Sequence, residues 1–395
     1  MNNRAGIAID IGTTTVALYL LDLETGDILS TLGDVNAQNA YGADVSSRIS
    51  YAQAHGHETL TQAIRQQIQA MILRACQKAD IKSEQIKRIC IAANTVMQHL
   101  VAGFSPVSLG KAPFSPVSLF GEELPIWEGL PVAESAVIYY PPCVSAYVGG
   151  DITAGLLASE FESLLTPSLF IDIGTNGEIV LKHKGTYYCC ATAAGPAFEG
   201  AEITMGMAAV SGAIDHVTMT GNGDIEFSVV GGGEPKGLCG SGLLDLLAIL
   251  LDSGVVDNSG RLNADRFYLT KEPADIYVTA EDIRKLQLAK AAIAAGIEVL
   301  LHFAGISDSD IKLPALAGGF GSYMNLKSAA RIGLIPESLL SVAKTLGNTA
   351  GEGAVKTLIY SDAYKRLKKI CSNCEYIELS SISFFNDKFV EQMGF

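Results

Sequence analysis

The chain has 395 residues, 48% of them hydrophobic and 18% charged, with a formal net charge of −14. This length suggests two or three domains, and the composition argues against long disordered segments. The negative charge argues against nucleic acid as a main partner, because its phosphates would be repelled. Eight cysteines in a chain this long do not indicate a secreted disulfide scaffold. No signal peptide is evident and no uninterrupted apolar run reaches transmembrane length, so we expect a cytoplasmic protein with no membrane partner.

Two stretches of the chain resemble each other. Residues 7–17 read IAIDIGTTTVA, and residues 169–180 read LFIDIGTNGEIV. Each begins with a short run that is almost entirely apolar, which is typical of a central strand in a sheet covered on both faces. Each run then places an aspartate, Asp10 or Asp172, two residues before a glycine and a hydroxyl residue.

This pattern favours a nucleotide and its metal. An ionised aspartate at the end of a buried strand is costly unless something compensates it, and Mg²⁺ is the usual compensation beside phosphates. Gly12 and Gly174 let backbone approach a ligand, and the following N–H groups and hydroxyls can bind phosphate oxygens. One copy of D-x-G-T could be an ordinary strand-to-turn transition. Two copies in the same context favour a nucleotide clamped between two similar domains.

The first half reads as an alternation of strands and helices. We predict strands over 16–23, 28–35 and 86–92, helices over 57–80 and 95–103 with Asn94 as a cap, and a polar loop near the cleft over 36–56. The order β-β-β-α-β-α is the start of a ribonuclease-H-like half. Residues 104–142 carry many prolines and the only tryptophan, and we expect a connecting or partner-facing excursion there rather than an element of the repeat.

Asp151 is a further candidate carboxylate. It follows the pair Gly149-Gly150 at a predicted helix start. It can serve as an N-cap or as a carboxylate of the nucleotide cleft, and the residues alone leave both roles open. We include it among the candidate catalytic residues.

The second half repeats the pattern. We predict strands over 168–173, 177–183 and 186–193, a Gly/Ala-rich loop and helix over 191–214, a Gly-rich loop running into an apolar helix over 231–254, a long helix over 281–304, and a buried strand that ends at Gly318-Gly319. Glu199 could align a water molecule or simply be solvated. Residues 347–354 open another helix, whose small residues suit a helix–helix contact at a hinge. The tail, 361–395, offers a strand around 376–379 and a last helix or coil.

Cys371 and Cys374 form a C-x-x-C pair in this tail. Such a pair can be half of a metal site or a redox pair. With no second pair and no nearby histidine, we favour structural thiols.

Taken together, the motifs resemble those of the ASKHA superfamily of acetate and sugar kinases, heat-shock chaperones and actin. The resemblance rests on DIGTTTVA, its DIGTNGE echo, VGGD before that echo, and LAGGFG after the long helix. More narrowly, AANTVMQHLVAG, AAGPAFEGAEITMGMAAVSGAI, GLCGSGLLD, DIRKLQLAKAAIAAGIEVLL and LAGGFGSYMN look like the ASKHA portion of the reductive activators of corrinoid enzymes. The resemblance runs over essentially the whole chain.

The resemblance implies an α/β fold of two ribonuclease-H-like, actin-like ATPase domains with an interdomain nucleotide cleft. We place domain I at 1–150, with 361–395 packing back on it, and domain II at 151–360. The implied activity is that of an ATP-binding, Mg²⁺-dependent ATPase that supports reduction of Co(II) to Co(I) in a corrinoid protein or corrinoid-dependent methyltransferase. The alternatives are a small-molecule kinase of the same superfamily and a nucleotide-regulated binding module for another client protein.

Site residues follow from the resemblance, motif by motif. Asp10 and Asp172 would organise Mg²⁺ and the attacking water. The nucleoside would lie on the backbone of Gly318 and Gly319. The phosphates would be held by residues of the two loops, with a further contact from a neighbouring helix start: Gly12, Thr13, Thr14, Gly174, Thr175, Asn176 and Gly177 in the loops, and Gly240 and Ser241 at the helix start.

Family members usually carry an iron–sulfur module at one end. This chain begins at the first phosphate strand and has no clustered four-cysteine pattern, so we predict no iron–sulfur cluster in it. We expect a separate ferredoxin-like protein to supply the electron, unless the chain is an ATPase for another client. The resemblance also implies a homodimer.

Overall fold

The computed structural model describes residues 5–318 and 324–395. The chain divides into two compact units. Unit 1 comprises the residues up to Ser163 together with Asn348–Tyr376, and unit 2 comprises Leu164–Gly347 together with Ile377–Phe395. These limits differ from the domain boundaries predicted at 150, 360 and 361.

Packing explains the shift in the limits. The helix that begins at Gly150 packs tightly against the helix that begins at Thr349, so both belong to unit 1. The last residues of the chain instead join unit 2, where Phe395 N–H donates to Asn258 O at 2.9 Å.

The described residues form two principal sheets and two small ones. Their strands are β1 Ala5–Ile11, β2 Thr15–Asp22, β3 Ile28–Val35, β4 Ile86–Ala93, β5 Glu122–Pro125, β6 Val137–Tyr140, β7 Ser168–Ile173, β8 Gly177–His183, β9 Thr186–Thr192, β10 Ala213–Met219, β11 Ile225–Val229, β12 Gly237–Leu238, β13 Arg266–Thr270, β14 Ile276–Thr279, β15 Leu313–Ala317, β16 Lys344–Gly347 and β17 Cys374–Tyr376.

Helices connect and cover these strands. The α-helices of the described residues are α1 Val45–His55, α2 Glu58–Ala79, α3 Thr95–Ala102, α4 Gly150–Ala158, α5 Gly240–Asp252, α6 Ala280–Ala304, α7 Leu326–Arg331, α8 Thr349–Ile359, α9 Ala363–Asn373 and α10 Ser383–Glu391.

The two principal sheets repeat one plan. In unit 1 the strand order is β3-β2-β1-β4-β6, with β5 added at the edge, and in unit 2 it is β9-β8-β7-β15-β16. In each unit the first three strands are antiparallel neighbours, and the next two run parallel to the first. The predicted pair of ribonuclease-H-like halves is therefore confirmed, with β5 as an insertion within 104–142. The same stretch also contains β6, which is a strand of the repeated plan, so the expectation that 104–142 holds no element of the repeat is wrong.

Each unit has its own apolar core. In unit 1, the apolar positions of β1 and β4 pack with the buried face of α2, which includes Leu60, Ile64 and Ile68. In unit 2, β7, β8 and α5 pack against α6. Helix α6 is long and apolar enough to cross a membrane by length and composition, but 78% of its most apolar 18-residue window is buried inside the protein. That burial is typical of a core helix.

Three further predicted elements differ from the structure. Residues 36–56 are not one loop, since they contain α1, which starts because the Asp44 side chain accepts Ser47 N–H in a capping box. Residues 191–214 contain a short 3₁₀ turn, Pro196–Glu199, rather than the predicted helix. In the tail, the strand is β17 rather than one around 376–379. It is preceded by helix α9, which was not predicted and which buries the face that carries Leu367 and Ile370.

Candidate functional site

The Asp10 carboxylate stands near the end of β1, between Ala17 of β2 and Ala92 of β4. Asn348, which caps the start of α8, donates from Nδ2 to Asp10 Oδ2 at 2.8 Å. Burial raises the pKa of Asp10 to about 6, although the hydrogen bond from Asn348 acts in the opposite direction. The position is therefore built to hold a carboxylate whose negative charge the fold itself does not compensate.

Asp151 lies in the same unit, as the second residue of α4. The N-cap of α4 is Gly149, so the N-cap role considered for Asp151 is wrong. Its Oδ1 accepts the N–H of Ile152 at 2.8 Å. Burial and, to a smaller extent, the negative charge of Asp10 raise the pKa of Asp151 to about 7, although the hydrogen bond from Ile152 N–H acts in the opposite direction. The structure thus brings two predicted carboxylates into one electrostatic environment.

Gly149, the N-cap of α4, has a steric reason to be glycine. A Cβ at Gly149 would lie 2.5 Å from Asn94 Cα and 2.7 Å from Asp151 Oδ1. Only a residue without a side chain lets the start of α4 approach the end of β4 this closely.

The first of the two predicted phosphate loops, Gly12 to Thr14, joins β1 to β2. Asn36 donates from Nδ2 to Gly12 O at 2.8 Å, and Arg48 donates from Nη2 to Thr13 O at 2.6 Å. Asn94 donates from Nδ2 to Thr13 Oγ1 at 3.3 Å. Thr14 O accepts Asn36 N–H at 2.9 Å. Polar groups from the segment after β3 and from the end of β4 thus hold all three predicted residues of this loop.

The second loop has the same place in unit 2. Asp172 lies in β7 between Glu178 of β8 and Ala317 of β15. Gly318, with φ of +90°, follows β15, and a Cβ there would lie 2.6 Å from Asp172 Oδ1. Gly318 is therefore placed directly beside the predicted metal-binding carboxylate. Gly319 lies outside the described residues.

Other predicted residues of the second loop have identifiable contacts. Thr175 donates from Oγ1 to Glu199 Oε1 at 2.9 Å, and Gly174 N–H donates to Asn176 O at 2.9 Å. Glu199 is thus bound to the loop rather than only solvated. A Cβ at Gly177 would lie 2.8 Å from Ile293 Cγ1, so packing against α6 already requires glycine there.

Gly240 and Ser241 are the first two residues of α5, and both are buried. The Ser241 hydroxyl lies 3.4 Å from Cys239 Sγ. At the next position, a Cβ on Gly242 would lie 2.3 Å from Ile214 O, so this helix start is pressed against backbone of β10.

Sequence reasoning missed the residues that support the first loop. Asn348 belongs to a stretch identified only as a helix opening, and 338 residues separate it from its partner Asp10. Asn36 and Arg48 lie in the segment predicted as a loop. The signal for Asn348 was its position before a run of small residues, which indicates an N-cap but not a distant partner.

Cys371 lies near the end of α9, and Cys374 begins β17. Among the described residues, no group of three or more His, Cys, Asp or Glu side chains could hold a metal ion. Cys371 Sγ donates to Cys143 O at 3.4 Å, and burial raises the pKa of Cys371 to about 11. A thiol with a raised pKa is a poor nucleophile, which favours a structural role for this cysteine.

Two curated proteins that are similar in sequence over nearly the whole of this chain both have names that refer to corrinoids. A curated protein named corrinoid activation enzyme RamQ, from Eubacterium limosum, is 36% identical over 98% of this chain and 69% of its own length. A [Co(II) methylated amine-specific corrinoid protein] reductase from Methanosarcina barkeri is 25% identical over 99% of this chain and 77% of its own length.

A solved structure is similar to this chain in both sequence and fold. It is titled as a reductive activator for a corrinoid, iron–sulfur protein, and it superposes with a TM-score of 0.91 at 38% identity over the whole of this chain. The chain spans 66% of the length of that structure.

Two family models together cover nearly every residue. Residues 5–164 match the RACo middle region, and residues 166–395 match the C-terminal domain of RACo, the ASKHA domain. With the relatives above, these matches confirm the resemblance drawn from the motifs: the chain belongs to the family of reductive activators of corrinoid proteins.

Proposed function

We propose that the chain is a Mg²⁺-dependent ATPase that supports the reduction of Co(II) to Co(I) in a corrinoid protein or a corrinoid-dependent methyltransferase. The observation that carries the proposal is the pair of equivalent loops: Asp10 and Asp172 occupy the same place in two sheets of the same order. Family membership supplies the client class and favours this function over a small-molecule kinase. The predicted interdomain cleft stays a prediction.

The residues present fit a magnesium ion. Mg²⁺ prefers oxygen ligands, and proteins usually supply one or two carboxylates while phosphates and water complete the set. The Asp10 carboxylate is held by Asn348, yet burial still raises its pKa to about 6, so a cation would relieve an existing electrostatic cost. We assign Asp10 and Asp172 to Mg²⁺, which would offset negative charge on the phosphate oxygens of ATP.

The residues also fit a nucleotide. Gly12 and the hydroxyls of Thr13 and Thr14 stand where the first loop leaves β1, and Thr175 and Asn176 stand at the same place in unit 2. Gly318 leaves room beside Asp172 that a Cβ would fill. We assign the loops to the phosphates and the backbone at Gly318 to the nucleoside.

Asp151 is our candidate for the proton acceptor. Its pKa is raised to about 7, and a general base works best when its pKa lies near the operating pH. We propose that the Asp151 carboxylate takes a proton from the water that attacks the terminal phosphate. In the second loop, the 2.9 Å hydrogen bond from Thr175 to Glu199 would hold both side chains in a fixed orientation.

A nucleotide-driven change of conformation is large enough in free energy to affect a redox equilibrium. Shifting a conformational equilibrium about 10⁴-fold requires roughly 5.5 kcal/mol. For a one-electron couple, at about 59 mV per tenfold change, this corresponds to roughly 240 mV. A nucleotide-driven change of conformation could therefore alter the redox poise of a partner's cobalt usefully.

The remaining assignments complete the proposal. The electron would come from a ferredoxin-like protein, the protein would act in the cytoplasm as a homodimer, and neither nucleic acid nor membrane would be a partner. The net charge of −14 is consistent with the absence of a nucleic-acid partner, since it opposes binding to phosphate backbones.

Calorimetric titration of Mg-ATP and Mg-ADP, with phosphate release followed in parallel, tests the ATPase. We expect binding and turnover in the wild type, and loss of turnover in Asp10→Ala, in Asp172→Ala and in the double variant. Asp34→Ala is the matched control, because Asp34 only pairs with Arg74 at the surface of unit 1. Absence of nucleotide binding by the wild type would refute the proposal.

A second assay tests the client. A Co(II) corrinoid protein, a low-potential reductant and Mg-ATP are mixed anaerobically, and Co(I) is followed by its visible absorption. We expect Co(I) to appear only with ATP and the wild-type chain. Turnover of ATP that is indifferent to every corrinoid partner, with no Co(I) formed, would exclude this client class.

A further inference from the structure

The carbonyl side of the first phosphate loop is bound by a single segment, residues 36–48. Asn36 donates from Nδ2 to Gly12 O at 2.8 Å and from its N–H to Thr14 O at 2.9 Å. Between them, Arg48 donates from Nη2 to Thr13 O at 2.6 Å. Three successive carbonyl groups of the loop are therefore directed towards this segment.

Arg48 is the central residue of this arrangement, and it is completely buried. Its guanidinium also donates from Nε to Gly42 O at 2.9 Å, and from Nη1 to Gln38 Oε1 at 3.3 Å. A further bond joins Nη2 to Asn39 Oδ1. This many donors in a fixed planar geometry is the property that distinguishes arginine from lysine.

The charge of Arg48 has no partner of opposite sign at contact distance. Within residues 5–318 and 324–395, no carboxylate lies within ion-pair distance of it, and Asp44 is the acidic residue that acts on it from further away. Burial lowers the pKa of Arg48 to about 10, so the group is still protonated at neutral pH. A buried charge without a counter-charge is costly. An anion near the loop would compensate it.

The direction of the peptide groups indicates where that anion lies. The peptide bonds of the loop are trans, so the N–H of each peptide unit points away from its C=O. With Gly12 O and Thr13 O held on the side of Asn36 and Arg48, the N–H groups of Thr13 and Thr14 point to the opposite side. Successive N–H groups on one side of a turn form an anion-binding concavity.

We propose that Arg48 is a positioning residue for the polyphosphate of the nucleotide. It fixes the loop through Thr13 O, so that the N–H groups face the phosphates, and its buried charge adds a positive field behind them. The inference rests on the proposed function, since it takes a nucleotide as the ligand. Arg48 itself does not touch the ligand in this account.

A purely structural arginine would behave differently. If Arg48 only joined α1 to the rest of unit 1, replacing it would lower the stability and would weaken all ligands alike. A residue that positions the phosphate loop should discriminate ligands with phosphates from a ligand without them. Adenosine is therefore the informative comparison with Mg-ATP and Mg-ADP.

The experiment uses the full chain with Arg48→Met and Arg48→Lys. Arg65→Met is the matched control, because Arg65 also donates to a backbone carbonyl of unit 1, but that carbonyl, Val101 O at 2.9 Å, is not part of the loop, and the guanidinium lies over the Trp127 ring. Affinities for Mg-ATP, Mg-ADP and adenosine are measured by calorimetry, and thermal unfolding of each variant is recorded beside them.

We expect Arg48→Met to weaken Mg-ATP and Mg-ADP by roughly 10- to 100-fold, as for lost hydrogen bonds to a charged group, with adenosine within twofold of the wild type. Arg48→Lys keeps the charge but loses the planar set of donors, and we expect a loss of about 5- to 10-fold. Arg65→Met should change none of the three affinities.

The outcomes separate the two proposals. Mg-ATP affinity within threefold of the wild type in Arg48→Met, or an equal loss for adenosine, would overturn the role of Arg48 while leaving the ATPase proposal standing. If Arg48→Met does not fold, Arg48→Lys is judged by the same comparison of Mg-ATP with adenosine. A wild-type chain that binds no Mg-ATP would overturn both proposals.

Discussion

Replacing Asp10 by asparagine should make the metal-free protein more stable at neutral pH. The pKa of Asp10 is raised from 3.8 to about 6, chiefly by burial. The folded state therefore favours the protonated form of Asp10 more than the unfolded state does. The stability that this preference contributes is fully present below about pH 4 and is lost as the pH rises through about 6. Above that pH the folded state holds an ionised carboxylate that it disfavours.

The magnitude follows from the size of the shift. About two pKa units correspond to about 3 kcal/mol. Because the Asp10 side chain keeps some exposure to water, we discount this to about 2 kcal/mol at pH 7.5. Asparagine has the same shape, and its carbonyl oxygen can still accept the hydrogen bond from Asn348 Nδ2.

The assay is urea unfolding of chelator-treated protein at several values between pH 5 and pH 8. The chain has two compact units, so the transition of unit 1 is followed separately, for instance by hydrogen exchange of β1 and β4. Asp34→Asn, which breaks only a surface pair with Arg74, is the control and should change stability by less than about 1 kcal/mol. An Asp10→Asn protein that is no more stable than the wild type at pH 7.5, or a difference that does not shrink towards pH 5, would refute the reasoning.

Two glycine substitutions test close approaches in the fold. Gly318→Ala should destabilise unit 2 by about 3 kcal/mol and weaken nucleotide binding, because φ is +90° and the new Cβ would lie 2.6 Å from Asp172 Oδ1. Gly185→Ala is the control, since φ is +88° but nothing lies within 4 Å of its Cβ, and it should cost only about 1 kcal/mol. Thermal unfolding measures the stabilities, and calorimetry measures nucleotide binding. Gly353→Ala should destabilise unit 1 by about 3 kcal/mol or more, because its Cβ would lie 2.1 Å from Ala154 O where α8 meets α4; a melting temperature within 2 °C of the wild type would contradict that packing.

The sequence predicts most of the two sheets because their strands have local signals. The bounds predicted for the strands of unit 2, 168–173 and 177–183, agree with β7 and β8. Helix α2 was predictable because Leu60, Ile64 and Ile68 repeat at helical spacing and are all buried. The contact of small residues in 347–354 with another helix is confirmed as the approach of Gly353 to Ala154.

What the sequence could not predict depends on partners far apart in the chain. Helix α1 has weak amphipathic character: it begins at the capping box of Asp44, and its buried face includes the charged Arg48 beside Val45, Ile49 and Ala52. A charged residue in a polar stretch reads as solvent-exposed, so the pattern predicted a loop. The Gly/Ala-rich run 191–214 was predicted to contain a helix that the structure does not have. Its glycines, such as Gly200 and Gly206, bring backbone segments together rather than continue a helix.

The two halves of the fold are equivalent, but the residues at their corresponding positions are not. Strand β4, the parallel neighbour of β1, ends at Ala93 and is followed by Asn94, whose Nδ2 donates to Thr13 Oγ1 at 3.3 Å. The strand next to β7 ends at Ala317 and is followed by Gly318, which has no side chain and packs beside Asp172.

The same ribonuclease-H-like corner thus carries a polar side chain in unit 1 and bare backbone in unit 2. Polar groups around Asp10 suit a metal and phosphates, whereas bare backbone suits the flat face of a nucleoside. An exchange of these residues separates the two roles. Asn94→Gly should weaken Mg-ATP and leave adenosine unchanged, and Gly318→Asn should weaken both; equal effects of the two variants on adenosine would mean that the corners do not divide the work in this way.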